Sequence, residues 1–284
     1  MNFSENNVYI TVKDHSVSGE EFQLLLDTDL GLLKTHPQPV PENLGSYYES
    51  DDYISHTDGK RSLFEKLYHL VKQKALRDKL SIIKRYHPEK GKLLDIGAGT
   101  GDFLVTAKND GWDTFGIEPS EKAKKIAISK GISFKNDIKE LENNSFDVVT
   151  MWHVLEHIPD IQQHIAELKR ILKPNGLIII AVPNYNSYDA QHYGKFWAAF
   201  DVPRHLWHFS KNAIKQLFSN QGMKLIKILP MKFDSFYVSL LSEKYKSGKM
   251  NFVKGFLIGL RSNFKAAGNM EYSSLIYIIK HSKN

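Results

Sequence analysis

The chain has 284 residues, 42% apolar and 25% charged, with no cysteine and a formal net charge of +6; it is long enough for one large domain or a domain with a substantial appendage. It has no run of 18 apolar residues, and its start, MNFSENNVYITVKD, does not lead from a basic stretch into an apolar one. A spanning helix, a secretion signal, disulfides, thiolate zinc sites and cysteine nucleophiles are therefore not expected, and a cytoplasmic location is. The charge is local: residues 241–284 hold eight Lys/Arg against two Asp/Glu, and the rest balances to about zero. A nucleic-acid binder usually spreads its basic surface along a groove, so this patch suits an anionic substrate or a lipid surface better, or is simply a solvated face.

Residues 1–60 form an N-terminal extension that is mixed and turn-rich, with His36-Pro37-Gln38-Pro39-Val40-Pro41 as a stiff extended stretch. Residues 61–86 read as one amphipathic helix, stopped by Pro88. From 92 to 182 short apolar runs alternate with helical patterns. Strands are expected at 92–96, 112–118, 132–135, 146–150 and 177–182. Helices are expected after the first strand to near Gly111, at 121–130 between Ser120 as cap and Gly131 as stop, and at 161–172. Such alternation means a parallel sheet with helices on both faces. Beyond Pro183, Ser210 is placed to cap a helix running to about Asn220, a strand follows at 223–229, and 274–279 is a final strand closing the sheet as an antiparallel hairpin. Between these two strands, 232–272 is a basic, aromatic insertion within a main domain of 61–284.

The chemistry begins at Asp95-Ile96-Gly97-Ala98-Gly99-Thr100-Gly101. Glycines let the chain turn tightly and let a ligand approach the backbone beside the positive end of the next helix. A P-loop needs Lys and Ser/Thr after its last glycine, and Asp102-Phe103 stand there; a dinucleotide fold wants G-x-G-x-x-G, and this is G-x-G-x-G. Asp95 at the strand end would repel a pyrophosphate and welcome an ammonium group. Glu118 ends the second strand, where a carboxylate accepts from both ribose hydroxyls. Asp137 follows the third strand and suits an exocyclic adenine amine, with the Ile138 N–H meeting a ring nitrogen. The ligand so described has an amino-acid end, a ribose diol and an adenine, and no phosphate: S-adenosylmethionine. Singly, Asp95 also suits a helix cap and Glu118 a solvated strand end.

With these residues the sequence resembles the class I S-adenosylmethionine-dependent methyltransferases. Asp95-x-Gly97-x-Gly99-x-Gly101 matches their first motif, Glu118 the second-strand acid and Asn136-Asp137-Ile138 the adenine contact. Phe146-Asp147-Val148-Val149 with Leu155-Glu156-His157-Ile158-Pro159-Asp160 matches the fourth-strand block, and Leu172-Lys173-Pro174-Asn175-Gly176-Leu177 the turn into strand five. The resemblance implies an α/β, Rossmann-like fold with a seven-stranded sheet in the order 3-2-1-4-5-7-6, strand seven alone antiparallel. It implies cofactor contacts from Asp95, Gly97, Ala98, Gly99, Gly101, Glu118, Pro119, Asp137, Ile138, Trp152 and His153. Asp201-Val202-Pro203-Arg204-His205-Leu206-x-His208-Phe209-Ser210 is similar to the bacterial small-molecule subgroup that includes ubiquinone-type O-methyltransferases.

His153-Val154-Leu155-Glu156-His157 spells H-x-x-E-H, a zinc-protease pattern, but Pro159 ends any helix there within a turn, so His157 and Glu156 are expected to shape the turn. His205, with His208 second, is the expected general base for a hydroxyl acceptor. The sulfonium already activates the methyl group, so no metal is expected. Arg204 is the expected anchor for an anionic acceptor, or a salt bridge within a lid, and Tyr53 and His56 are expected over the acceptor as part of a lid at 47–56. Residues 21–32 resemble the small zinc ribbon of related bacterial proteins with its cysteines gone. The function expected is methyl transfer to a small molecule, anionic or lipid-soluble, with Lys244, Lys246, Lys249 and Lys254 against a membrane surface. Two other readings stay open: a cofactor-binding protein without turnover, and a nucleic-acid methyltransferase, although Met151-Trp152-His153-Val154 stands where the latter would carry Asn/Asp-Pro-Pro-aromatic.

Overall fold

The computed structural model describes residues 1–48 and 63–282. These residues form two sheets. The large one takes β4 (Lys92–Ile96), β5 (Asp113–Ile117), β6 (Ser133–Phe134), β7 (Phe146–Trp152), β8 (Leu172–Pro183), β10 (Met223–Pro230) and β11 (Ser274–His281). Its spatial order is β10-β11-β8-β7-β4-β5-β6. Counted along the chain that is 3-2-1-4-5-7-6, and β11 alone runs against its neighbours. This is the Rossmann-like methyltransferase sheet that the motifs imply.

The central strands are apolar on both sides along most of their length because both sheet faces are covered. Five consecutive residues of β8, Ile178 to Val182, are fully buried. One face is covered by the Ile161–Ile171 helix, which presents Ile161, Ile165, Leu168 and Ile171 at helical spacing, and by the Lys211–Asn220 helix with Ile214, Leu217 and Phe218. The other carries Leu80 and Ile83 of the Leu63–Tyr86 helix and Leu104 and Ala107 of the Asp102–Asn109 helix. Side chains of Ser120, Asp160 and Ser210 accept from the backbone N–H three residues on, capping their helices. β8 starts earlier than the periodicity suggests: Phe146 pairs Leu172 and Val148 pairs Leu177, so Lys173–Gly176 bulge out within the strand.

The second sheet is an antiparallel meander of β1 (Val8–Lys13), β2 (Glu21–Asp27) and β3 (Leu32–His36). Its fourth strand, β9 (Trp207–Phe209), comes from the segment after β8, with Leu33 opposite His208. The N-terminal extension is thus hydrogen-bonded into a much later part of the chain, and its Val12, Phe22, Leu24 and Leu33 share a core with Tyr193, Trp197 and Phe200. The insertion after β10 is a pair of helices, Asp234–Ser247 and Phe252–Asn269.

Candidate active site

Parallel strands end on one edge of the sheet, which is where β4, β5 and β7 deliver their functional side chains. Gly97 and Ala98 donate to Ile117 O at 2.8 and 3.1 Å, drawing the glycine loop over the end of β5. Gly97 has φ +74°, and a Cβ there would overlap the Val154 side chain, so glycine is required twice over. Gly101 likewise has positive φ and stands at the N-terminus of the Asp102–Asn109 helix. Asp95, buried at the tip of β4, accepts from Thr150 Oγ1 at 2.5 Å. Glu118 takes Gly99 N–H on Oε2 at 2.7 Å and Ser120 N–H on Oε1 at 2.9 Å. Glu118 stands close enough that its charge opposes ionisation of Asp95. Burial pushes Asp95 up to about 7, partly offset by Thr150 and by Lys79. Pro119 is exposed beside Glu118, and Asp137 is exposed after β6, accepting from Lys139 N, with Ile138 buried behind it.

Trp152 ends β7 and His153 follows it. Trp152 packs edge-on against Phe103, 5.7 Å between ring centroids. Lys79 Nζ lies 4.4 Å from the Trp152 centroid and feels both Asp95 and Asp234. His153, at φ +58°, meets Asp234 Oδ2 through Nε2 at 2.9 Å and Glu156 Oε1 through Nδ1 at 3.3 Å. Burial disfavours its charge, but the two carboxylates win and raise its pKa to about 10, so it is an imidazolium at neutral pH.

The Arg204 to His208 segment lies under the N-terminal meander. Arg204 is buried, donating to Asp14 and Asp201, to Ser16 Oγ and to Tyr47 O. His208 is buried on β9, 3.0 Å from Thr35 Oγ1, and burial holds it neutral. His205 Nδ1 faces Ala199 O at 2.9 Å, and burial, then the neighbouring His157, lowers its pKa to about 4. Its ring meets that of His157 edge-on at 4.7 Å. Below them Glu156 is fully buried, and neither oxygen has a hydrogen bond of good geometry among the described residues. Glu156, His157 and His205 each offer one ligand atom, all within 4.8 Å of one another, a donor set of the kind that holds a divalent transition metal. Tyr53 and His56 lie outside the described residues.

The structure thus gathers the glycine loop, Asp95, Glu118, Trp152 and His153 at one edge, and sets Arg204 and His208 apart in a buried seam. Three residues of this region escape a reading by motif. Lys79 looks like any cation on a helix, Thr150 like any strand β-branched residue, and Asp234 belongs to an insertion whose placement no local pattern reveals.

A family model described as a methyltransferase domain matches residues 68–228. Among curated relatives, the carboxy-S-adenosyl-L-methionine synthase of Campylobacter hominis is 27% identical over 56% of this chain and 80% of its own length. The ubiquinone biosynthesis O-methyltransferase of Thiobacillus denitrificans is 32% identical over 34% of this chain and 46% of its own, so the match takes in less than half of that relative. Among solved structures, Haemonchus contortus phosphoethanolamine N-methyltransferase 2, in complex with S-adenosyl-L-methionine, superposes with a TM-score of 0.51 at 20% identity, over 73% of this chain and 53% of that one; this is a likeness of fold.

Proposed function

The chain belongs to the methyltransferase-domain family, and from that premise we propose that it moves the methyl group of S-adenosylmethionine to a hydroxyl oxygen of a small molecule, by direct in-line displacement. The observation that carries the proposal is the pair of carboxylates, Asp95 and Glu118, at neighbouring strand tips around the glycine loop. Asp95 takes the ammonium end of the cofactor and Glu118 exchanges its backbone partner for the ribose diol. Lys79, between Asp95 and Trp152, is the cation for the carboxylate of the amino-acid end. Asp137 and Ile138 close on the adenine. When bound, the cofactor supplies a methyl group already activated by a sulfonium, so what this chain adds is alignment and exclusion of water.

His205 is the base we assign. Its Nδ1–H is spent on Ala199 O, which leaves Nε2 with the lone pair. An imidazole lowered to about 4 is unprotonated at neutral pH but weak, and Glu156 beside it stabilises the imidazolium as it forms. Arg204 and His208 we assign to holding the meander on the domain. The quinone methyltransferase named above and the basic insertion favour a lipid-soluble acceptor.

Calorimetry with S-adenosylhomocysteine tests the cofactor site. We expect tight binding, weakened at least tenfold in both Asp95→Ala and Glu118→Ala, since each removes a charge-assisted contact worth roughly 1.5–3 kcal/mol. Wild-type affinity in both variants would remove this site.

A further inference from the structure

The Phe252–Asn269 helix is packed inside out. Its buried positions are small: Gly255, Gly259, Ser262 and Ala266. They let it approach the Asp234–Ser247 helix closely, for a Cβ on Gly255 would stand 3.0 Å from Leu240 Cα and one on Gly259 2.9 Å from Phe236 Cα. Its large apolar residues point the other way. Phe252, Val253, Phe256, Leu257, Leu260 and Phe264 are all exposed, Val253 at 72% and Phe264 at 82%. At 3.6 residues per turn they fall within an arc of about 140°. A helix that served only the core would do the reverse.

The charges on this helix have one sign. Its sequence, FVKGFLIGLRSNFKAAGN, contains Lys254, Arg261 and Lys265 and no acid. These three fall together on one flank of the apolar stripe. Lys246 and Lys249, exposed on the preceding turn and loop, extend the cationic rim, while Glu243, the acid facing Lys254 at 3.1 Å, is buried. No helix of the described residues is long and apolar enough to cross a membrane. A stripe of aromatic and aliphatic residues with cations on its flank has the makeup of a helix that lies in the plane of an anionic bilayer.

We infer that the Phe252–Asn269 helix is a docking surface for an anionic lipid bilayer, entering the headgroup boundary along its Phe252–Phe264 stripe with Lys246, Lys249, Lys254, Arg261 and Lys265 against the lipid charges. The paired helix is fastened to the active site, since Asp234 at its first turn holds His153. A docked molecule therefore presents the acceptor side of its cleft near the lipid from which a lipid-soluble acceptor comes. That consequence for the reaction rests on the methyltransferase reading above; the docking does not.

The test is co-sedimentation of the full chain with vesicles of phosphatidylcholine alone, or of equal parts phosphatidylcholine and phosphatidylglycerol. The wild type should sediment with the anionic vesicles, less so as salt rises, and stay in solution with neutral ones. The double variant Leu257→Asp/Phe264→Asp should lose at least tenfold in partitioning, and Lys246→Glu/Lys249→Glu severalfold, while both keep wild-type affinity for S-adenosylhomocysteine. The proposal is overturned by no sedimentation with anionic vesicles, by equal sedimentation with neutral ones, or by undiminished binding of Leu257→Asp/Phe264→Asp. It is also overturned if light scattering finds a wild-type dimer that this variant makes monomeric, since a second copy then covers the stripe. Failure of the wild type to bind S-adenosylhomocysteine would sink the methyltransferase reading and leave the vesicle result standing.

Discussion

Asp95 carries the sharpest consequence at the scale of single residues. Burial raises its carboxyl to about 7, yet the cofactor's ammonium group requires the carboxylate. Binding below pH 7 must therefore expel a proton. Affinity for S-adenosylhomocysteine is expected to fall as pH drops from 8 to 6, approaching about tenfold per unit at the acid end. Calorimetry in buffers of different ionisation enthalpy checks the released proton, and a flat wild-type profile would refute the assignment. The two histidines separate by a different measurement. His205→Gln is expected to lower kcat by about 10²-fold or more with cofactor affinity unchanged. His208→Gln, which strips a partner from Thr35, is expected to lower stability with kcat nearly intact. Equal kcat losses in the two variants would show that neither is the base.

Among the elements, those with local signals were legible and those made by distant pairing were not. The β4 strand and the Ile161–Ile171 helix lie where apolar runs put them, and the Glu121–Ser129 and Lys211–Asn220 helices where Ser120 and Ser210 cap them. Nothing in Trp207-His208-Phe209 announces a strand, because its partner, β3, is far away in sequence and the pairing exists only once both have folded. The segment after β8 is similar. It is held by Asp189, buried within the Tyr188–Tyr193 helix, which accepts from Trp197 Nε1 at 2.8 Å, Ser262 Oγ at 2.6 Å and Ser273 Oγ at 2.7 Å. One side chain thus joins the loop, the outer insertion helix and the start of the last strand. Asp189→Ala leaves three buried donors unpaired, and we expect it to cost about 2–4 kcal/mol in urea unfolding. A loss under about 1 kcal/mol would mean that these groups find other partners.

Over the whole molecule, the buried histidines set the pH dependence of stability. His164 and His205 are lowered to about 4 and His208 further, in each case chiefly by burial. The unfolded chain takes up these protons near 6.5 and the folded chain does not, so stability falls as pH drops from 6.5 towards 4. Asp95, protonated when folded, opposes this by one proton and is outnumbered. Below that range Asp14 adds to the loss: Arg204 and the amides of Ser18 and Ser16 overcome its burial and hold it at about 2, a contribution complete above 3.8 and lost on the way down to 2. On the alkaline side His153, raised to about 10 by Asp234 and Glu156 against its burial, stabilises fully below 6.5 and ever less as pH climbs to 10. The melting temperature should therefore peak near pH 6.5 to 7 and fall on both sides. A melting temperature constant from pH 4 to 6.5 would contradict the burial of these rings.

The sequence by itself determined the strands and helices of the large sheet and the acids at its carboxyl edge, while the strand order came with the family resemblance that its motifs carry. The elements and the acids follow from periodicity, caps and a glycine motif, each written within a few tens of residues. It left Arg204, His205 and His208 as a cluster of reactive side chains with no depth, and the basic insertion as a composition with no face. Tertiary structure decided both. Burial under the meander turned Arg204 into the centre of a closed ion-pair network, and the small residues of the Phe252–Asn269 helix turned its aromatic side outward. Burial and orientation depend on which distant surfaces meet, and the same residue types in the same order are compatible with either side of a helix facing the core.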